Sequence, residues 1–202
     1  MRCFIAIAPP QDTCSKIGTL IDQLKSEFPL VTKSDLVKWE DESKVHITLA
    51  FLGILSPDKV NDLRHTLREV TKQFKAFELH IGKSSYFYKK HEDSIIYLDV
   101  EDRSKKLRNF YQALRRELLD KYISLPERLI LHISIGRLKR RRHAHEAKQI
   151  LTEIGRREIE PTGSFKVESI NLYQSLYSKK NSSSNYRLLQ SSHFAPTMDT
   201  DL

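Results

Sequence analysis

"KVHITLAFLG", Lys44 to Gly53, and "ILHISIGRLK", Ile130 to Lys139, decide how this chain is read. Each sets a histidine and a hydroxyl residue two positions apart inside a run that is otherwise apolar. Side chains on a β-strand alternate between faces, so residues i and i+2 point the same way. His46 and Thr48 therefore share one face while Ile47 and Leu49 take the other, and His132 with Ser134 repeats this against Ile133 and Ile135. A lone histidine on a strand is commonly a hydrogen-bonded structural group. Two copies of one pattern are poorly explained by core packing, which favours Val or Leu at such positions.

Outward from these runs, hydrophobic periodicity predicts further strands at Cys3–Ala8, Leu36–Trp39, Ala76–Ile81, Ser94–Val100, Phe165–Tyr173 and Tyr186–Gln190, with the two motifs in strands Val45–Leu52 and Leu129–Leu138. Four amphipathic helices lie between them. Their apolar stripes are Ile17, Ile21, Leu24 and Phe28; Val60, Leu63, Leu67, Val70 and Phe74; Leu107, Tyr111, Leu114, Leu118 and Tyr122; and Ala147, Ile150, Leu151 and Ile154. Ser56 followed by Pro57 marks the second helix start, as N-cap and first helical residue. Strands follow one another directly at 76–81 and 94–100, which excludes a doubly wound parallel sheet. The pattern implies an α+β fold, mainly antiparallel, with helices on the outer faces. "SKKNSSSN", Ser178 to Asn185, has the composition of a mobile loop, and residues 196–202 read as a frayed tail after a single domain spanning 1–195.

The 202 residues suffice for one substantial core and exclude a large multidomain enzyme. Cys3 and Cys14 fall within an apolar run and a helical pattern, as in an intracellular protein without disulfides. "MRCFIAIAPP" carries too short an apolar stretch for a signal peptide and reads as a first strand. No run approaches the about 18 apolar residues of a membrane span, so a soluble, cytoplasmic monomer with no membrane partner is expected. Net charge is +8, with basic residues gathered at "RLKRRR", Arg137 to Arg142, and at Arg115, Arg116 and Lys121. Such a run is either solvated surface or a phosphate-backbone footprint. Its position, five residues after His132, favours the second.

Chemistry supplies a reason for two histidines. Opening a phosphodiester needs a base to deprotonate the attacking water and an acid to protonate the departing oxygen on the far side of phosphorus. Imidazoles titrate near neutrality and can do both. Hydroxyls two residues away can donate to the non-bridging oxygens as charge builds there. His46, Thr48, His132 and Ser134 make a complete set that needs no metal, and no cofactor is expected. His143 and His145 form a His-x-His pair that could hold a metal outside this set; His65, His80, His91 and His193 carry no assigned role.

With its two H-x-(S/T)-x motifs the chain resembles the 2H phosphoesterases, and within them the RNA 2′,3′-cyclic phosphodiesterases formerly called 2′-5′ RNA ligases. "RCFIAIAPP" is similar to the family's opening strand, "VHITLAFLG" and "LHISIGRLK" to its two motifs, and "YRLLQSSHF" to its closing Tyr-x-x-Leu strand. Ser134 stands where threonine is usual, and "KKNSSSN" lacks the family's Pro-Gly turn. The resemblance implies two pseudo-symmetric lobes around a cleft, with His46, Thr48, His132 and Ser134 catalytic. It further implies that Phe51 stacks on the terminal base and Arg137 holds the phosphate. The substrate implied is RNA ending in a 2′,3′-cyclic phosphate, hydrolysed to a 2′-phosphate with His46 as acid and His132 as base, and with reversible 2′-5′ ligation as a further activity. Cleavage of 2′,5′-oligoadenylate or cyclic nucleotides, and a non-catalytic RNA-binding module, are the alternatives.

Overall fold

The structure, a computed structural model, describes residues 1–29, 36–87, 93–139, 151–154, 163–178 and 183–196. Its strands are β1 (Arg2–Ile7), β2 (Val37–Trp39), β3 (Ile47–Ile54), β4 (Phe77–Phe87), β5 (Ser94–Glu101), β6 (His132–Leu138), β7 (Gly163–Val167), β8 (Ser169–Ser178) and β9 (Ser183–His193). They join in one sheet of order β7-β4-β5-β6-β3-β1-β8-β9, with β2 paired to β6, and every ladder between them is antiparallel. The two halves, β9-β8-β1-β3 and β6-β5-β4-β7, meet at a single residue pair, Ile47 opposite Ile133. The mainly antiparallel α+β reading therefore stands, with the two lobes sharing one sheet.

Helix α1 (Gln11–Glu27) follows Pro9-Pro10 and buries Ile17, Leu20, Ile21 and Leu24. Helix α2 (Pro57–Thr71) starts as its sequence predicts: the Ser56 hydroxyl accepts the Lys59 N–H and Pro57 occupies the first turn. Helix α3 (Lys106–Leu119) buries Leu107, Phe110, Tyr111, Leu114 and Leu118 completely. Tyr122 is a correction to the expected stripe. The helix stops at Leu119, Tyr122 takes a left-handed backbone with φ of 55°, and its side chain is 88% exposed. Residues 151–154 are helical and bury Leu151 and Ile154, while Ala147 and Ile150 of the same expected stripe lie outside the described residues.

Strand expectations change at β4, which runs to Phe87 past the expected end at Ile81, at β6, which starts at His132 and not at Leu129, and in two further places. The single run Phe165–Tyr173 divides at Glu168, so that β7 pairs with β4 in one half and β8 with β1 in the other. The buried positions show why: Phe165 and Val167 are odd-numbered, Ile170 and Leu172 even-numbered, so the inward face changes parity at the break. The expected loop at 178–185 is narrower, because the β8–β9 hairpin stays in register to Ser178 opposite Ser183. One buried cluster joins α1, α2, α3 and the inner face of the sheet, and includes Cys3, Ile5, Ile7, Ile47, Leu49, Ile133 and Ile135. The apolar residues of both motifs therefore anchor their strands in the core.

Candidate active site

The register fixes what the motifs can reach. With Ile47 opposite Ile133 in an antiparallel ladder, continuing by one residue each way sets His46 against Ser134 and Thr48 against His132. All four lie on the face turned away from the core, and each is only partly buried. The two pairs are thus related by an approximate two-fold axis through the isoleucines.

Both imidazoles are oriented in the same manner. His46 Nδ1 lies 2.7 Å from the Lys44 carbonyl oxygen and His132 Nδ1 lies 3.2 Å from that of Ile130, in each case two residues upstream. A carbonyl only accepts, so Nδ1–H is the donor and Nε2 is left for chemistry. Burial holds the His46 imidazole below the ordinary histidine value, and the charge of His132 pushes the same way, against the hydrogen bond to Lys44.

Strict alternation would turn the residue five beyond each histidine toward the core. Both strands avoid this with a bulge at the third residue after the histidine. In β3, Thr48 pairs with Ala6 and Ala50 with Ile5, leaving Leu49 as the extra residue. In β6, Ser134 pairs with Tyr97 and Gly136 with Ile96, leaving Ile135. A bulge re-aims the side chains that follow it. Phe51, opposite Phe4, is consequently 75% exposed on the motif face, and Arg137 is exposed on the equivalent part of β6. Gly136 belongs to the same device, since a Cβ there would lie 3.1 Å from the Trp39 ring and 3.2 Å from Val37 Cγ1.

Around His46 the structure adds an aromatic cluster that the sequence patterning does not single out. Phe4 is the hub, 2% exposed, with its ring centroid 5.4 Å from His46, 6.0 Å from Phe51, 5.3 Å from Tyr173 and 5.0 Å from Tyr186. Tyr186 also meets His46 edge-on at 5.3 Å. Burial raises both tyrosine hydroxyls above their ordinary value, so they remain neutral donors. The alternation in "RCFIAI" was the available signal, because Phe4 and Ala6 fall on the face opposite Cys3, Ile5 and Ile7.

His132 has different neighbours. Phe87 and Tyr97 stack at 4.2 Å, and each meets the imidazole edge-on at 5.6 Å. Asp99 is its ladder partner on β5; burial, then Glu101, raise this carboxyl, while the charge of His132 lowers it. Arg137 reaches across the halves electrostatically. Its charge lowers the Glu40 carboxyl and the Tyr186 hydroxyl, although burial raises both overall. Among the described residues no three His, Cys, Asp or Glu side chains gather as metal ligands. His143 and His145 lie outside the described residues, as do His91 and Arg140 to Arg142 of the basic run.

A family model described as the 2′-5′ RNA ligase superfamily matches residues 10–177. The chain belongs to the 2′-5′ RNA ligase superfamily. A Thermotoga maritima protein named RNA 2′,3′-cyclic phosphodiesterase is 30% identical over 139 residues, covering 69% of this chain and 71% of that protein. One of the same name from Methanothermobacter thermautotrophicus is 23% identical over 179 residues, covering 87% and 90%. Among solved structures, E. coli LigT complexed with 3′-AMP superposes with a TM-score of 0.68 at 20% identity, covering 96% of this chain and 97% of that one. Kluyveromyces marxianus Usb1 gives 0.52 at 9%, covering 93% and 97%. At such identities these superpositions show the fold alone. No helix among the described residues is long and apolar enough to cross a membrane.

Proposed function

We propose that this member of the 2′-5′ RNA ligase superfamily hydrolyses RNA 2′,3′-cyclic phosphate ends to 2′-phosphates by two-histidine acid–base catalysis without a metal. The observation that carries the reading is the matched pair of imidazoles, each held through Nδ1 by the carbonyl two residues upstream and each set across the β3–β6 ladder from the other motif's hydroxyl residue. Burial disfavours a proton on His46, so His46 suits the base and His132 the acid, the reverse of the roles that the resemblance implied.

Water attacks phosphorus while His46 Nε2 takes its proton. The bond from phosphorus to the 3′ oxygen breaks, and His132 Nε2 gives that oxygen a proton. Thr48 and Ser134 donate to the non-bridging oxygens, which gain charge in the transition state. Phe51 offers an open ring face to the terminal base, and Arg137 approaches the phosphate from the opposite half. With a 5′-hydroxyl in place of water the same steps form a 2′-5′ diester as the 3′ oxygen leaves, and their reversal, with the 3′-hydroxyl attacking and the 5′ oxygen leaving, restores the cyclic phosphate, which is how reversible 2′-5′ ligation would arise at this face. The buried, unpaired Cys3 and Cys14 agree with a reducing, cytoplasmic compartment.

A 2′,5′-linked diester is the second reading, because the half-buried Phe87, stacked on Tyr97, places a ring beside His132 as well. The test is digestion of an oligonucleotide ending in a 2′,3′-cyclic phosphate in excess chelator, with the products separated against 2′- and 3′-phosphate standards. A 2′-phosphate is expected. A 3′-phosphate overturns the orientation, loss of activity in chelator overturns the metal-free mechanism, and cleavage of 2′,5′-linked dinucleotides alone favours the second reading.

A further inference from the structure

A cavity of about 520 Å³ lies between α3 and the segment leading into β6, with Ile130 on its wall. Its walls include Arg108, Tyr111, Glu127, Arg128, Leu129 and Ile130. A second space of about 270 Å³ adjoins it, sharing Arg108 and Leu129 and reaching Glu101 and Asp102. The combined size suits a nucleotide-sized ligand, whose sites run to about 300–1,000 Å³.

The charges on these walls are unequally matched. Glu127 is ion-paired with Arg115 at 3.0 Å, and Glu101 with Arg103 at 2.8 Å. Asp102 accepts the Arg108 backbone N–H at 2.9 Å and the Ser104 hydroxyl. Every acid is thus engaged, whereas the guanidiniums of Arg108 and Arg128 have no carboxylate or hydrogen-bond partner among the described residues. Two unengaged guanidiniums beside a partly apolar wall of Leu129 and Ile130 match a phosphate ester: the forks take the oxygens and the wall takes the sugar or base.

The cavity also touches the chemistry. Ile130 is 47% exposed on its wall, and the carbonyl of that residue is what holds His132 Nδ1. That hydrogen bond is 3.2 Å, against 2.7 Å for its counterpart at His46, so it is the looser of the two. We propose that the Arg108–Arg128 cavity is a second, phosphate-ester-binding site, and that filling it steadies Ile130 and through it the His132 imidazole. The ester comes from the RNA strand itself or from a free nucleotide. The link to His132 rests on the role proposed above for that residue; the site itself does not.

Calorimetry separates the two. Adenosine 5′-monophosphate is titrated into His132→Ala protein and into the same protein carrying Arg108→Ala and Arg128→Ala. Loss of two charge-assisted contacts weakens one binding event by at least about tenfold. Turnover by the double arginine variant with an intact His132 then names the source. If the ester belongs to RNA, kcat/KM on a cyclic-ended oligonucleotide falls by about tenfold relative to that on a 2′,3′-cyclic mononucleotide, which is too small to span both sites. If it belongs to a free nucleotide, the variant loses the change in cyclic-mononucleotide turnover that added adenosine 5′-monophosphate produces in the wild type. Indistinguishable titrations overturn the site. Titrations that differ while every turnover comparison matches wild type overturn the link to His132. Absence of hydrolysis in all proteins removes the function proposed above and leaves the calorimetric result to decide the site alone.

Discussion

Phe51→Ala is expected to weaken substrate binding while leaving the fold nearly as stable as before, and the two effects can be sized separately. Phe51 is 75% exposed and makes its ring contact with Phe4 at 6.0 Å, so about a quarter of its surface is covered. A fully buried phenylalanine hides about 150–250 Å². A quarter of that is about 50 Å², which at about 25 cal/mol per Å² amounts to about 1 kcal/mol of stability. For a chain of this length that lowers Tm by about 2–4 °C. Phe4 is 2% exposed, and its replacement by alanine would cost about 3–5 kcal/mol. Losing a base-stacking surface costs about 1–3 kcal/mol of binding, or about 5- to 150-fold in KM. Steady-state kinetics on a 2′,3′-cyclic mononucleotide, with thermal melts of both variants, reads the split: KM rises, kcat holds, and Tm moves far less than in Phe4→Ala. A KM equal to wild type would refute the stacking role, and a Tm loss as large as that of Phe4→Ala would show that Phe51 is a packing residue.

His46→Ala and His132→Ala are each expected to lower kcat by at least about 100-fold, the lower range for a positioned acid or base. If both act in one step as proposed, the double variant should be little slower than either single one, and near-normal turnover in either removes the pair from the mechanism. The acidic limb of kcat/KM against pH, if set by His46 as the proposed base, should fall below the ordinary histidine value of 6.5. The same shift makes the unfolded chain the better proton acceptor just below that value. The stability owed to His46 is therefore complete above pH 6.5 and is lost as pH falls from there toward its depressed folded value. Urea denaturation across that interval should show a shallower pH dependence in His46→Ala, and equal slopes would mean that burial does not shift this imidazole.

The motif strands could be read from sequence because a period of two is a local property. Placing a histidine and a hydroxyl on one face requires only the backbone of one strand, and Ile47, Leu49, Ile133 and Ile135 are buried as the alternation requires. The helix stripes were accessible for the same reason, with Ser56 and Pro57 marking the start of α2 through their own backbone chemistry. The failures also follow a rule. At Tyr122 the stripe continues in sequence after the hydrogen-bonded helix has ended, and no local period reports where a helix stops packing. At Glu168 an apolar run spans a crossing between the two halves, and only the parity change from Val167 to Ile170 betrays it.

The amino-acid sequence alone determined the chemistry available to this protein: two imidazoles and two hydroxyls, each pair aimed from a strand anchored in core. Whether the pairs meet was decided by the Ile47–Ile133 contact, a long-range pairing that neither strand encodes by itself. The bulges at Leu49 and Ile135 likewise arise from register against β1 and β5, and they alone bring Phe51 and Arg137 to the motif face instead of turning them toward the core. The difference between the histidines is tertiary too. Rings from β1 and β9 border His46, while Asp99 and the Phe87–Tyr97 stack border His132, so two near-identical motifs acquire unlike environments. Local periodicity specifies which way a side chain points along its own strand; what it then faces depends on strands distant in sequence, whose pairing is set by burial across the whole sheet.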